Sequence, residues 1–458
     1  MNDSGRYLVK DIFMLLSLSI LLVGMHHGGP LASDVVVETD QTEIDPRIDP
    51  SRITVLPGEW QQTRPTGTIP SAQRVAVDGE ACNMPPMQAL KARRGMNKGV
   101  QWLLSNQEQG GGWGRGSGST TTEEPDERPS PTAAAITGLG IKAIAQSGYP
   151  DMNQLAPAID RLRMARQEDT GLIDGPLATY VVASITSALI SLQDPQFDEL
   201  VEDGIEKLRT YQWDSGEGLH MEQDWYGGAG YGNRGRPDLS NTQFMLDALH
   251  DAGIPSDDPA FQRAVIFVSR CQNLNSTNTA EWAGNDGGFV YTAANGGESL
   301  ASEVAGNGRD GHANLKPGDR RSLRSYGSMT YAGFKSLLYA GLDSDDPRTK
   351  AALEWMRRHW TFEENPGLGQ QGYYYYLYTM SRALNASGLD IIRSNNGEEH
   401  DWRVELSQAL LKRQNPDGSW TNPTGRWLEG RTDLATIYAV LALEETLKPK
   451  AKTKRNSS

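Results

Sequence analysis

Two kinds of apolar pattern alternate along this chain. In the first, apolar positions recur every three to four residues and the opposite face is charged. The segments Asn97–Gln107, Gln196–Tyr211, Phe261–Cys271, Arg348–His359 and Arg403–Gln414 follow it, as helices with one face in water do. In the second, Ala, Ser, Thr, Tyr and Leu fill the whole circumference and Lys or Glu is rare. Thr132–Gln146, Leu177–Leu192, Asp238–Ala252, Tyr326–Ala340, Tyr373–Ala386 and Thr432–Leu447 belong here, as helices enclosed by protein do. The alternation predicts an outer layer of amphipathic helices around an inner layer of buried ones. About six pairs fit between residues 85 and 447.

The punctuation repeats as well. Ala252-Gly-Ile-Pro-Ser-Asp-Asp-Pro259 returns as Ala340-Gly-Leu-Asp-Ser-Asp-Asp-Pro347. This predicts Asp258 and Asp346 as N-caps with Pro259 and Pro347 in the first turn, and Asp194-Pro195 as a third start of the same kind. Hairpins that cannot bury their own apolar faces must stack, and a closed ring leaves no exposed ends. An open solenoid is the alternative; the irregular spacing and long insertions favour the ring. The segment Asn275–Arg324 interrupts the rhythm, and Gly287–Thr292 within it reads as a short strand or hairpin. The expected fold is all-α, an (α/α)6 toroid with long loops and a small hairpin insertion.

Composition narrows the function classes. The 458 residues are 37% hydrophobic and 22% charged, a globular balance, and the net charge of -14 argues against nucleic acid as a partner. The 49 glycines fit many corners between short elements. Arg6 and Lys10 precede an apolar run over Ile12–Gly24, shorter than the ~20 residues that span a bilayer. Residues 1–32 therefore read as a secretory signal peptide, with an uncleaved N-terminal anchor as the alternative and the only membrane contact expected. Residues 33–84 read as an extended linker and residues 448–458 as a polar tail. Export permits a disulfide, but nothing in the sequence pairs Cys82 with Cys271.

The corners carry a further pattern. Gln107 followed by Gly112-Trp113, and Gln414-Asn-Pro-Asp-Gly-Ser-Trp420, match the QW repeat, with degenerate copies at Gln167, Gln212 and Gln272. Over residues 88–447 the chain resembles the prenyltransferase and squalene-oxidase repeat family of triterpene cyclases and protein prenyltransferase β subunits. Gly287–Ser299 and Gly369–Leu384 are similar to exported bacterial members. The resemblance implies a barrel whose inner helix ends surround a central cavity. It also implies that Gln107, Trp113, Gln414 and Trp420 are structural, a role that suits glutamine beside unpaired helix-end groups and tryptophan beneath a turn.

The same resemblance tests the chemistry. The cyclases' D-x-D-D-T proton donor falls at Asp238-Leu239-Ser240-Asn241-Thr242, where Ser240 and Asn241 replace the two later acids. Neither delivers a strong proton, so Asp238 is either a helix N-cap or the acid of a modified site. The prenyltransferases' zinc-binding Asp and Cys would lie in Ser325–Gly333 and the His in Tyr373–Thr379. None is there, so no metal and no cofactor is expected. A calcium site at Asp310, His312 and Asp319 fits no ligand spacing.

Aromatic side chains are the positive signal. Trp225, Tyr226, Tyr231, Tyr326, Tyr331, Tyr374, Tyr375 and Tyr378 lie at or near inner-helix starts, with Asn241, Thr242 and Asp433 at the same rim. Such rings either fill the core or line a cavity. Other acids near that rim are Glu123, Glu124, Asp126, Glu222 and Asp224. The expectation is an exported toroid that binds an apolar small molecule, a glycan or a protein partner. A squalene-cyclase-type enzyme built around Asp238 is the alternative, and a polysaccharide lyase or hydrolase a weaker one.

Overall fold

The computed structural model describes residues 75, 82–115, 129–149, 151–165, 177–232, 235–301 and 323–448. The N-terminal segment, most of the 33–84 linker, the residues after 448, Gln167, the acids Glu123, Glu124 and Asp126, and Asp310, His312 and Asp319 lie outside them.

Among the described residues the chain forms twelve α-helices: α1 (Pro86–Ser105), α2 (Pro131–Gln146), α3 (Ala156–Met164), α4 (Ala178–Leu192), α5 (Asp198–Thr210), α6 (Leu239–Asp251), α7 (Pro259–Arg270), α8 (Gly327–Tyr339), α9 (Pro347–Arg358), α10 (Tyr373–Ser387), α11 (Trp402–Arg413) and α12 (Thr432–Leu447). The even-numbered helices are the buried layer. On α12 every residue from Leu434 to Leu447 is buried, whereas on α1 only Ala92, Gly95, Met96, Gly99, Val100 and Leu103 are, one stripe at helical spacing.

The inner helices touch in the order α2, α4, α6, α8, α10, α12 and back to α2, and α11 and α12 pack on α1, so the ring closes. Two bonds across the seam join residues 319 apart in sequence: Gln414 Nε2 donates to the Gly95 carbonyl at 2.8 Å, and Gly114 N donates to Asp433 Oδ2 at 3.1 Å. The fold is thus an all-α (α/α)6 toroid. Its inner helices run parallel. The first turns of α4, α6 and α10 meet through Tyr180, Ser240 and Tyr375, and the last turns of α2 and α4 through Gln146 and Ser191.

Local chemistry explains the boundaries. Asp258 and Asp346 accept from Ala260 N and Arg348 N, with Pro259 and Pro347 in the first turn. Asp194 caps in the same way, accepting from Gln196 N with Pro195 next, but it opens a 3-10 turn, Pro195–Phe197, before α5 begins at Asp198. Helix α1 starts well before the predicted Asn97, and α3, short and polar, escaped the periodic pattern. The Gly287–Thr292 segment makes single bridges, Gln272 to Phe289 and Thr292 to Glu298, rather than a ladder. The two-stranded hairpin lies elsewhere, β1 (Ile391–Arg393) against β2 (Glu399–Asp401), between α10 and α11.

A side-chain pattern repeats at the corners. Gln212 Nε2 bridges the Gly227 and Ala260 carbonyls, Gln272 Nε2 those of Gly287 and Arg348, and Gln414 Nε2 those of Gly95 and Gly418. Gln107 Nε2 reaches the Gln154 carbonyl. Each glutamine ends one outer helix and reaches toward the next. Trp113 and Trp420 donate their indole N–H back to Leu103 and Leu410. Thr137, Thr242, Thr330 and Thr436, each in the first two turns of an inner helix, accept from the corner amides of Trp113, Ala229, Phe289 and Trp420.

Candidate functional site at the mouth of the ring

The N-terminal ends of the inner helices surround one mouth of the ring. Asp238 caps α6 there and is 1% exposed. Its Oδ1 accepts from Asn241 N and its Oδ2 from Asn241 Nδ2, both at 2.8 Å. Burial pushes its carboxyl up to about 6, against the hydrogen bonds from Asn241 and Tyr291 and the charge of Arg236.

Tyr291 arrives from the 275–301 insertion. Its carbonyl accepts from Leu239 N at 2.8 Å, and Thr292 Oγ1 donates to Pro237 O at 2.7 Å, so the insertion is laced to the start of α6. The Tyr291 hydroxyl lies 3.1 Å from that of Tyr231. A second string of hydroxyls crosses the mouth: Tyr180 donates to Ser240 at 2.8 Å, Ser240 lies 3.1 Å from the Tyr375 hydroxyl, and Gln243 Nε2 donates to Tyr375 at 3.0 Å. Burial holds the Tyr180 and Tyr291 hydroxyls far above the ordinary tyrosine range, so both are neutral donors. Tyr180, Tyr231, Tyr291 and Tyr375 all keep part of their surface exposed. Tyr326 is 1% exposed, and its hydroxyl has no hydrogen-bond partner although it lies within electrostatic reach of Tyr375, Asp238, Glu298 and Arg426.

Below the mouth the axis is charged rather than oily. Lys335 Nζ pairs with Asp247 at 2.7 Å and donates to Gln243 at 2.6 Å. Arg382 pairs with Asp247 at 3.4 Å and with Asp251 at 2.9 Å, and Lys142 pairs with Asp251 at 2.7 Å. Burial pulls the Lys335 ammonium down to about 8 against the attraction of Asp247. For Asp251 burial acts upward, but Arg382 and Lys142 outweigh it and hold the carboxyl well below the usual range.

The expected site residues divide. Asp238, Asn241, Thr242, Tyr231, Tyr326 and Tyr375 gather at the mouth, and Tyr378 stacks on Tyr438 deeper inside, with ring centroids 5.7 Å apart. Tyr374 turns outward, its hydroxyl donating to the Thr421 carbonyl, and Tyr331 packs edge-on against Tyr376. Trp225 donates to Asn295 and sits edge-on to Trp213, while Tyr226 is buried. Asp433 is held by Arg431 and Gly114 at the seam.

Reading the residues missed Tyr291, Gln243 and the axial charges as site components, and also Glu429. This carboxylate is 1% exposed and accepts from Tyr374 N at 3.1 Å, Tyr375 N at 2.7 Å and Asn422 Nδ2 at 2.7 Å. Burial pushes it up to about 7 against those bonds. The axial charges carried a legible signal: Lys142, Lys335 and Arg382 stand alone in otherwise uncharged helices.

Cys82 and Cys271 are both free thiols. Among the described residues no group of three His, Cys, Asp or Glu side chains is arranged to hold a metal ion, and no helix is long and apolar enough to cross a membrane.

No family model matches the chain, and neither does any curated protein sequence. Solved structures do match. A type II terpene cyclase, MstE, from Scytonema, in complex with its product merosterolic acid A, aligns at 13% identity over 80% of this chain and 99% of that one, with a TM-score of 0.32. A protein from Actinoplanes aligns at 15% identity over 78% of this chain and 99% of that one, with a TM-score of 0.40. A polysaccharide lyase aligns at 10% identity over 78% of this chain and 89% of that one, with a TM-score of 0.31. These are similarities of fold.

Proposed function

We propose that this toroid is a binding protein whose mouth takes a hydroxyl-rich ring ligand, a glycan. The observation that carries the reading is the pairing of a tyrosine-hydroxyl rim with an axis closed by salt bridges. Tyr180, Tyr231, Tyr291 and Tyr375 offer aromatic faces together with hydroxyls that both donate and accept, the combination a sugar ring meets with its C–H face and its own hydroxyls. A polyprene would have to displace Lys335, Asp247 and Arg382 to lie along the axis, leaving charges unpaired against hydrocarbon.

Asp238 points the same way. Protonating an alkene calls for an acid stronger than an ordinary carboxylic acid, whereas burial makes this one weaker, moving it from 3.8 to about 6. The apolar N-terminal run supports an exported site of action, where glycans are abundant partners.

The test is calorimetric titration of the full chain with soluble glucans, galactans and polyuronates, run beside product analysis after incubation with squalene and geranylgeranyl substrates. Glycan binding that Tyr180→Ala and Tyr375→Ala abolish is the expected result. Conversion of a polyprene that Asp238→Asn abolishes would overturn the reading in favour of a cyclase.

A further inference from the structure

The loop before α12 carries a feature the mouth does not account for. Trp427 is 41% exposed, among the few large hydrophobic side chains so placed among the described residues. Its backbone is left-handed, with φ 55° and ψ 34°, and Leu428 follows with φ 67°. Side chains rarely adopt that region, and a residue held there is strained unless its surroundings enforce it. The surroundings here are Glu429 and Asn422, which clasp the loop to Tyr374 N and Tyr375 N at the start of α10. The effect is to stand the indole against Gly372, the residue before Tyr373. A methyl on Gly372 would lie 3.1 Å from the indole carbons Cε3 and Cζ3. Arg426 stacks over the indole, 4.6 Å from its centroid, and donates to Gln371 Oε1 at 2.6 Å. The same guanidinium lies within electrostatic reach of Tyr326, whose buried hydroxyl has no partner.

Strain is thus spent to hold an exposed aromatic at the rim rather than to bury it. We infer that Trp427, positioned by the Glu429 clasp, is an outer aromatic platform on which a further sugar of a bound oligosaccharide stacks. The inference rests on the glycan reading of the mouth and extends it: the site recognises a chain of sugars, the inner one at Tyr180 and Tyr375 and an outer one at Trp427.

The experiment is a calorimetric series on the full chain with gluco-oligosaccharides from disaccharide to hexasaccharide, comparing wild type, Trp427→Gly, Trp427→Phe and Tyr375→Ala, with the Tm of each. Trp427→Gly should weaken the hexasaccharide about tenfold, the factor that ~1.4 kcal/mol produces, and leave the disaccharide unchanged. Its Tm should not fall, because glycine takes this backbone without strain. Trp427→Phe should retain most of the affinity. Hexasaccharide binding within about twofold of wild type in Trp427→Gly, with Tyr375→Ala abolishing it, would overturn the platform and leave the mouth standing. A fall in Tm of several degrees with unchanged affinity would make Trp427 a packing residue. Failure of every oligosaccharide to bind wild type would overturn both readings.

Discussion

The ammonium of Lys335 stands 2.7 Å from the carboxylate of Asp247 at the axis of the ring, with 1% and 5% of the two side chains exposed. Removing Lys335 leaves the buried Asp247 carboxylate with only the longer, 3.4 Å pair to Arg382, in a medium that solvates charge poorly. Lys335→Met is expected to cost about 3–5 kcal/mol, and replacing both partners, Lys335→Met with Asp247→Leu, to recover most of it. Urea denaturation of the two singles and the double measures the coupling; additive losses would show that the pair contributes nothing of its own.

Asp238 makes stability depend on pH. Its folded carboxyl titrates at about 6 and its unfolded one near the ordinary value of 3.8. Between those values the folded state binds more protons at this carboxyl, so the contribution of Asp238 to stability falls as pH rises from about 4 to about 6 and is constant above. The span of about 2 units corresponds to on the order of 3 kcal/mol. Asp238→Asn keeps an N-cap oxygen and should flatten that part of the profile in thermal melts; an unchanged slope refutes the assignment.

Glu429 serves the backbone of the tyrosine helix. Glu429→Ala leaves the Tyr374 and Tyr375 amides without their acceptor. Hydrogen exchange at those two amides should speed at least tenfold, as loss of about 1.4 kcal/mol of local protection does, while the amides of α4 stay protected. Equal rates in wild type and variant would mean that Glu429 is not the clasp.

Closure of the ring is tested at Gly99. A methyl there would stand 2.8 Å from Trp420 Cζ3 and 2.8 Å from Val440 Cγ2, where α1 meets α12. Gly99→Ala should cost about 1–3 kcal/mol by crowding the seam, more than any gain in helix propensity. Chemical denaturation reads it directly, and a stabilised variant would show that the seam is loosely packed.

The threonine pattern separates structure from function at Thr242. Thr242→Val and Thr436→Val each leave a buried corner amide, Ala229 N or Trp420 N, unpaired. Both should cost about 1–3 kcal/mol. If the role is architectural, Thr242→Val loses stability without losing glycan affinity beyond what Thr436→Val loses.

Much of this architecture was legible in linear form. Asp258-Pro259 and Asp346-Pro347 announce helix starts because an aspartate cap and a first-turn proline act within three residues of chain. The two layers were legible because burial sets which faces of a helix tolerate charge. Helix α3 was not legible: its nine residues are too few for a period, and Pro157 and the turn before it obscure the start. The candidate site was half legible. Asp238 and Tyr375 were found, but the run Tyr373–Tyr376 had to be divided by the 100° step of the helix, which sends Tyr375 into the mouth and turns Tyr374 to Thr421.

By itself, the sequence determined the two kinds of helix and eleven of the twelve among the described residues, their aspartate caps, and the glutamine and tryptophan corners, all set by contacts within a few residues or by the average environment of a helix face. Only the tertiary structure decided what occupies the axis. Lys142, Asp251, Lys335 and Arg382 come from helices far apart in the chain. Nothing local says that a lone lysine will meet an aspartate rather than water. Closure of the ring brings those charges within ion-pair distance and withdraws the solvent between them. The same closure carries Tyr291, from an insertion with no period of its own, to Asp238.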